Sequence, residues 1–314
     1  MRFLFLIIGI VVYLALSWEH AYTRSVSLYS GKVLTLANLT TEAVNGHHHA
    51  LTIRTAMSQA DVASHQAPVL LILHGGPAWS DIPFLYGSDY LLEEHFIVVH
   101  YDQRSAGKSC RYYGNSSNNN FASHNNLTIQ QHVDDAVAIV QYLQKKFHQE
   151  KVYLMGGSWG SVLSLLAAKQ QPDLFHFVAV HGTLVNGLSN ELISREFILH
   201  QFPTANIPMP PYKSVDELVL QRQWLNRAGG VFYKDPLPAT VTRYIPQLRF
   251  RSQLLYYAVH LLLAPEFSWG DKLRFGRCYR ETCAIDGGIT CEIRCLQSNR
   301  RQVRGSYFVP SWPL

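Results

Sequence analysis

With 314 residues, 47% of them apolar and 16% charged, the chain can bury a full core, and a disordered chain is excluded. The net charge of +5 is carried by its last stretch, since from Lys272 onward eight Lys/Arg face three Asp/Glu. The body is neutral and has no basic stripe interleaved with aromatics, so the charge is not a nucleic-acid footprint.

The first element is an apolar run from Phe3 to Trp18, behind Arg2, in which Ala15-Leu16-Ser17 offers a small-x-small cleavage site. At about 16 residues it is long for a signal-peptide core and short for a spanning helix of ~20 residues. It predicts export, with or without a retained anchor. Three glycosylation sequons agree with export: Asn38-Leu39-Thr40, Asn115-Ser116-Ser117 and Asn126-Leu127-Thr128. Residues 25–66 read as scattered polar segments. His47-His48-His49 is placed on a loop, where three adjacent histidines do not converge on one ion, and no metal is expected.

Four short apolar runs follow. They are Val69–Leu73, Phe96–Tyr101, Lys151–Met155 and Phe175–Val180. Continuous apolar runs bounded by glycines predict strands of a parallel sheet buried on both faces. Ile129–Phe147 places Val133, Val137, Val140 and Leu143 at helical spacing, and Val162–Gln170 reads as a second helix. Strand–helix alternation predicts a doubly wound α/β fold with a mostly parallel sheet. From Thr183 to Phe275 the pattern turns to aromatic-rich helices, broken at Pro208–Pro211, which predicts an inserted helical cap. The expected divisions are therefore 1–24 (signal peptide or anchor), 25–182 (core), 183–275 (cap) and 276–314 (an atypical tail).

Three of the four runs end in motifs. Gly156-Gly157-Ser158-Trp159-Gly160 is a G-x-S-x-G turn between a strand and a helix. Such a turn is strained, needs small neighbours, and lifts the serine hydroxyl to the carboxyl edge of the sheet. The helix N-terminus behind it favours a developing oxyanion. His74-Gly75-Gly76-Pro77 ends the preceding strand of the sheet and predicts a second wall, so that the Gly76 and Trp159 N–H groups converge on that oxyanion. Asp102-Gln103-Arg104-Ser105-Ala106-Gly107-Lys108-Ser109 ends in Gly-Lys-Ser, but a phosphate-binding loop would need glycine where Asp102 stands. That turn is read as structural, bracing the floor of the site.

Together the motifs resemble the proline iminopeptidase branch of the α/β-hydrolases, whose motifs read HGGPG, DQRGxGxS and GGSWGS. Here they read HGGPA, DQRSAGKS and GGSWGS. The resemblance covers Pro68–His181. It implies an α/β-hydrolase fold, Ser158 as nucleophile, Gly76 and Trp159 as oxyanion donors, and His74, Gly75, Pro77, Asp102, Gln103, Arg104, Gly156, Gly157 and Gly160 as motif scaffolding. It implies aminopeptidase activity on peptide N-termini through an acyl-enzyme, without a cofactor. Family members hold the substrate amine with cap carboxylates, and no acidic positions here are matched to those. The alternatives are an esterase or amidase, and a catalytically incomplete remnant or binding protein of the same fold. The implied partner is a peptide or a small amide or ester, with no nucleic acid, and with membrane contact only through the N-terminal segment.

The family order is Ser, then Asp, then His. No histidine follows His260, and neither the Asp nor the His partner is found. Cys278, Cys283, Cys291 and Cys295 crowd the tail, against Cys110 alone before it. Two disulfides, a zinc site or a frame-shifted coding stretch are the readings left open. In the shifted frame, the codons for Trp312-Pro313 force a glycine where the family's next strand ends. On that last reading the final core strands are missing, hydrolysis is feeble, and an apolar sheet edge is left open.

Overall fold

The computed structural model describes residues 34–77, 79–87, 91–112, 128–228, 261–262, 264 and 267–275. The export segment, Asn115, Asn126, His260, the four tail cysteines and the rest of the tail lie outside the described residues. Contacts divide the chain into two units: Met1–Thr183 with Leu248–Thr282, and Leu184–Gln247 with Cys283–Leu314.

The first unit holds a six-stranded sheet. It opens with a hairpin where scattered polar segments were expected, β1 (Leu36–Val44) pairing antiparallel with β2 (His47–Thr55). The two-residue turn is Asn45-Gly46, with φ of 50° and 71°, a pairing that matches the twist of the flanking strands. The three histidines therefore stand on a strand, not a loop. His47 and His49 are buried on one face and His48 is exposed on the other, as the period of two dictates. A short helix, α1 (Gln59–Ala63), leads on, with the Ser58 hydroxyl accepting the Asp61 N–H at 3.1 Å.

The expected apolar runs form β3 (Val69–Leu73), β4 (Ile97–Tyr101), β5 (Val152–Gly157) and β6 (Phe175–His181). The strand order is β1-β2-β4-β3-β5-β6. β2 runs antiparallel to β4, and β4, β3, β5 and β6 are parallel. Leu71, Val99 and Leu154 are fully buried at the sheet's centre. β6 departs from expectation, because Phe177 is 63% and Val180 37% exposed. Among the described residues β6 is the last strand, so its outer flank lacks the cover that central strands receive.

Two helices position the site. α2 (Ile129–Phe147) starts at Thr128, whose hydroxyl accepts the Gln131 N–H at 3.1 Å. It buries the predicted stripe of Val133, Val137, Val140 and Leu143 and stops at His148 in the left-handed region. Each such side chain, removed from water, contributes about 1.5–3 kcal/mol. α3 (Trp159–Gln170) packs on β5, β6, β3 and α2. A Cβ on Gly160 would collide with the Leu73 carbonyl, so only glycine lets α3 approach β3 this closely. Farther along the first unit, Ile82, Ala264, Phe267 and Phe275 form a satellite cluster. Lys108 Nζ donates to Asp271 Oδ2 at 2.7 Å beside it.

The second unit holds α4 (Gly187–Gln201) and α5 (Val215–Arg227). Its small core is Ile198, Ile207 and Ala228, with Phe202 and Trp224 packed against it. The proline cluster Pro208–Pro211 lies between the two helices.

Candidate active site

The site is built where β5 turns into α3. Ser158 occupies that turn at φ 51° and ψ −119°, a region L-residues rarely adopt, and it is exposed. Its N–H donates to the His181 carbonyl at 3.0 Å, and its own carbonyl accepts from the Ser161 hydroxyl and N–H. A Cβ on Gly157 would lie 2.5 Å from His181 Nε2, so the histidine ring fills the space of a side chain before the serine. Among the described residues, none hydrogen-bonds the Ser158 hydroxyl.

The loop after β3 passes against this serine. A Cβ on Gly75 would stand 3.4 Å from Ser158 Cβ and 3.9 Å from its Oγ. Gly76 follows at φ 128°, a conformation that favours glycine. His74 anchors the loop from below. Its Nδ1 donates to the Gly75 carbonyl at 2.7 Å, and its Nε2 accepts the Gln103 N–H at 3.0 Å, which fixes the neutral tautomer. Burial holds this imidazole below its ordinary range, against the opposing pull of Asp81 and of the Gly75 carbonyl.

The turn after β4 supplies the floor. The Gln103 side chain donates from Nε2 to the His74 carbonyl at 2.9 Å and accepts the Trp159 indole N–H on Oε1 at 3.0 Å. Asp102 is fully buried and accepts the Lys108 N–H at 2.6 Å. Burial pushes its carboxyl up to about 7, against the lowering influence of Ser80 and of Lys108. Arg104 points away to α2, where Nε and Nη2 clasp both oxygens of Asp135 at 2.5 and 2.9 Å. Asn45, in the hairpin turn, joins the same pair, donating to Asp135 at 2.7 Å and accepting from Arg104 at 2.9 Å. Burial alone would raise the Asp135 carboxyl, but Arg104, His49 and Asn45 outweigh it and hold it below the usual carboxylate range.

Residues 68–282 match the family described as alpha/beta hydrolase fold. The chain belongs to that family. Among curated relatives it is 33% identical over 175 residues to a probable aminopeptidase, YbaC, of Bacillus subtilis (strain 168), covering 52% of each chain. It is 27% identical over 162 residues to the proline iminopeptidase of Neisseria gonorrhoeae, covering 52% of this chain and 37% of that one. The chain thus spans about half or less of the curated relatives it matches. Among solved structures it is similar to a putative alpha/beta hydrolase from Nostoc sp PCC 7120, at 18% identity and a TM-score of 0.44. That match covers 87% of this chain and 78% of the other. It is also similar to a proline iminopeptidase-related protein of Thermus thermophilus, at 19% identity and a TM-score of 0.43, covering 72% of this chain and 67% of that one.

Within this fold the three motif loops converge: a Cβ on Gly75 would meet Ser158 and the Gly157 carbonyl, and His74, Gln103 and Trp159 are bonded together. Arg104 and Asp102 stand apart from the serine's immediate surroundings and serve the turn and the hairpin. Three residues were not singled out from sequence. His181 ends β6 opposite Gly157, and a strand register that pairs those two positions would have found it. Asp135 is an acidic residue on the buried stripe of α2, where a partner is obligatory. In the second unit, Glu191 is buried on α4 and accepts the Tyr212 hydroxyl at 2.9 Å.

Proposed function

We propose that this chain presents the nucleophile and oxyanion site of a serine hydrolase acting on peptide N-termini or on small amides and esters. The observation that carries the reading is Ser158 held exposed at positive φ against the backbone of Gly75. In the proposed step Ser158 Oγ attacks a carbonyl carbon, a C–O bond forms, and the negative charge moves to the carbonyl oxygen. The Gly76 and Trp159 N–H groups donate to that oxygen; collapse breaks the C–N or C–O bond of the substrate, the Ser158 hydroxyl proton passes through solvent to the leaving amine or alcohol, and an acyl-enzyme remains. The aminopeptidase reading is supported by the names of the relatives. Export is supported by Cys110 being disulfide-bonded and by the exposed sequon residue Asn38 on β1. Among the described residues no helix is long and apolar enough to cross a membrane.

A second reading, a non-catalytic protein of the same fold, is favoured by the Ser158 hydroxyl having no hydrogen-bond partner, and no base being assigned to it, among the described residues. A fluorophosphonate probe separates the two. Ser158 should label and Ser158→Ala should not, while turnover of proline arylamides and p-nitrophenyl esters should stay several powers of ten below ordinary enzyme rates. Absence of label sinks the serine hydrolase reading. Ordinary turnover means that a base is present after all.

A further inference from the structure

We infer that Gln103 is a positioning residue, one that sets the spacing between the Gly76 and Trp159 N–H groups. The inference deepens the serine hydrolase reading and rests on it. The two proposed donors lie on separate loops, one after β3 and one at the start of α3. Oxyanion stabilisation depends on their mutual placement to within about half an ångström, so something must fix one loop relative to the other.

The Gln103 amide has one foot on each loop. Its Nε2 donates to the His74 carbonyl at 2.9 Å, two residues before Gly76, and its Oε1 accepts the indole N–H of Trp159 at 3.0 Å. Its backbone N–H adds a third tie, to the His74 ring at 3.0 Å. All three residues are buried, so no water competes for these bonds. The demands are chemically specific, because one side must donate, the other must accept, and the two heads must be held coplanar. A glutamine side chain meets all three conditions. Asparagine is a methylene shorter, and glutamate cannot donate to a carbonyl.

The test uses the full chain and three variants: Gln103→Met, similar in shape but without either bond, Gln103→Glu, which keeps the acceptor for Trp159 alone, and Trp159→Phe. The rate constant for fluorophosphonate labelling of Ser158 is read beside the melting temperature. Gln103→Met should label about 10²-fold more slowly, and Gln103→Glu should fall between it and the parent. Gln103→Met combined with Trp159→Phe should be no slower than the slower single variant, since both cut one bridge. A purely structural glutamine would lower the melting temperature and leave the labelling of folded protein unchanged. That result, or additive losses in the double variant, overturns the inference. If Gln103→Met fails to fold, Gln103→Glu decides in the same way. A parent chain that never labels overturns the serine reading instead. The amide proton shifts of Gly76 and Trp159 then decide alone: movement in Gln103→Glu upholds the spacing role, and unchanged shifts refute it.

Discussion

Ser158 sits in a conformation that costs about 1–3 kcal/mol, and the bond from its N–H to the His181 carbonyl helps to hold it there. The motif Gly-Gly-Ser-Trp-Gly was enough to foresee that strain, because its chemistry is local to five residues. The state of two buried histidines elsewhere in the unit was not foreseeable, since it depends on burial supplied by distant elements. Burial takes His47 down to about 3 and His132 down to about 4, so both stay neutral in the fold. In the unfolded chain each takes up a proton near 6.5. Their stabilising contribution is therefore full above pH 6.5 and is lost as pH falls through those lower values. Asp102 acts in the opposite sense. Raised to about 7 by burial, it keeps a proton that the unfolded chain loses near 3.8, so its contribution is lost as pH rises toward 7. Two histidines outweigh one aspartate, and the urea midpoint should fall as pH drops from about 6.5 to about 4.5. Asp102→Asn, which removes the opposing group, should steepen that fall by up to about 1.4 kcal/mol per pH unit. A midpoint that is flat or rises on acidification contradicts the assignment.

At the scale of elements, the helix from Ile129 to Phe147 and the strands ending at Leu73, Tyr101 and Gly157 were legible, because each carries an unbroken apolar pattern. The β1–β2 hairpin was not read from its sequence, although Asn45-Gly46 is a strong turn signal. Polar residues on the exposed side of β1 and three histidines in β2 obscured the alternation. The polar tie between elements was hidden for another reason, since Arg104, Asp135 and Asn45 come from three separate segments. Removing one partner of such a buried pair leaves a charge without compensation. Asp135→Asn should therefore destabilise the fold by about 3–5 kcal/mol. Arg104→Met with Asp135→Leu should cost less than the sum of the single changes. Urea unfolding of the single and double variants checks both statements, and simple additivity would show that the pair is not coupled.

Over the whole molecule, the described sheet ends on a strand that shows Phe177 and Val180 to solvent. Among the described residues that edge is unpaired, and an unpaired edge with apolar side chains is a template for pairing with another chain. The parent protein should self-associate in a concentration-dependent way, and Phe177→Lys should raise the monomer fraction in sedimentation while leaving Ser158 labelling unchanged. A parent that stays monomeric at high concentration removes the basis for that prediction. The turn at Asn45-Gly46, by contrast, looks from outside like the natural place to splice in an affinity tag or a fluorescent reporter. Its side chain and carbonyl close over the Arg104–Asp135 clasp, so cargo grafted there would unseat an internal charge pair.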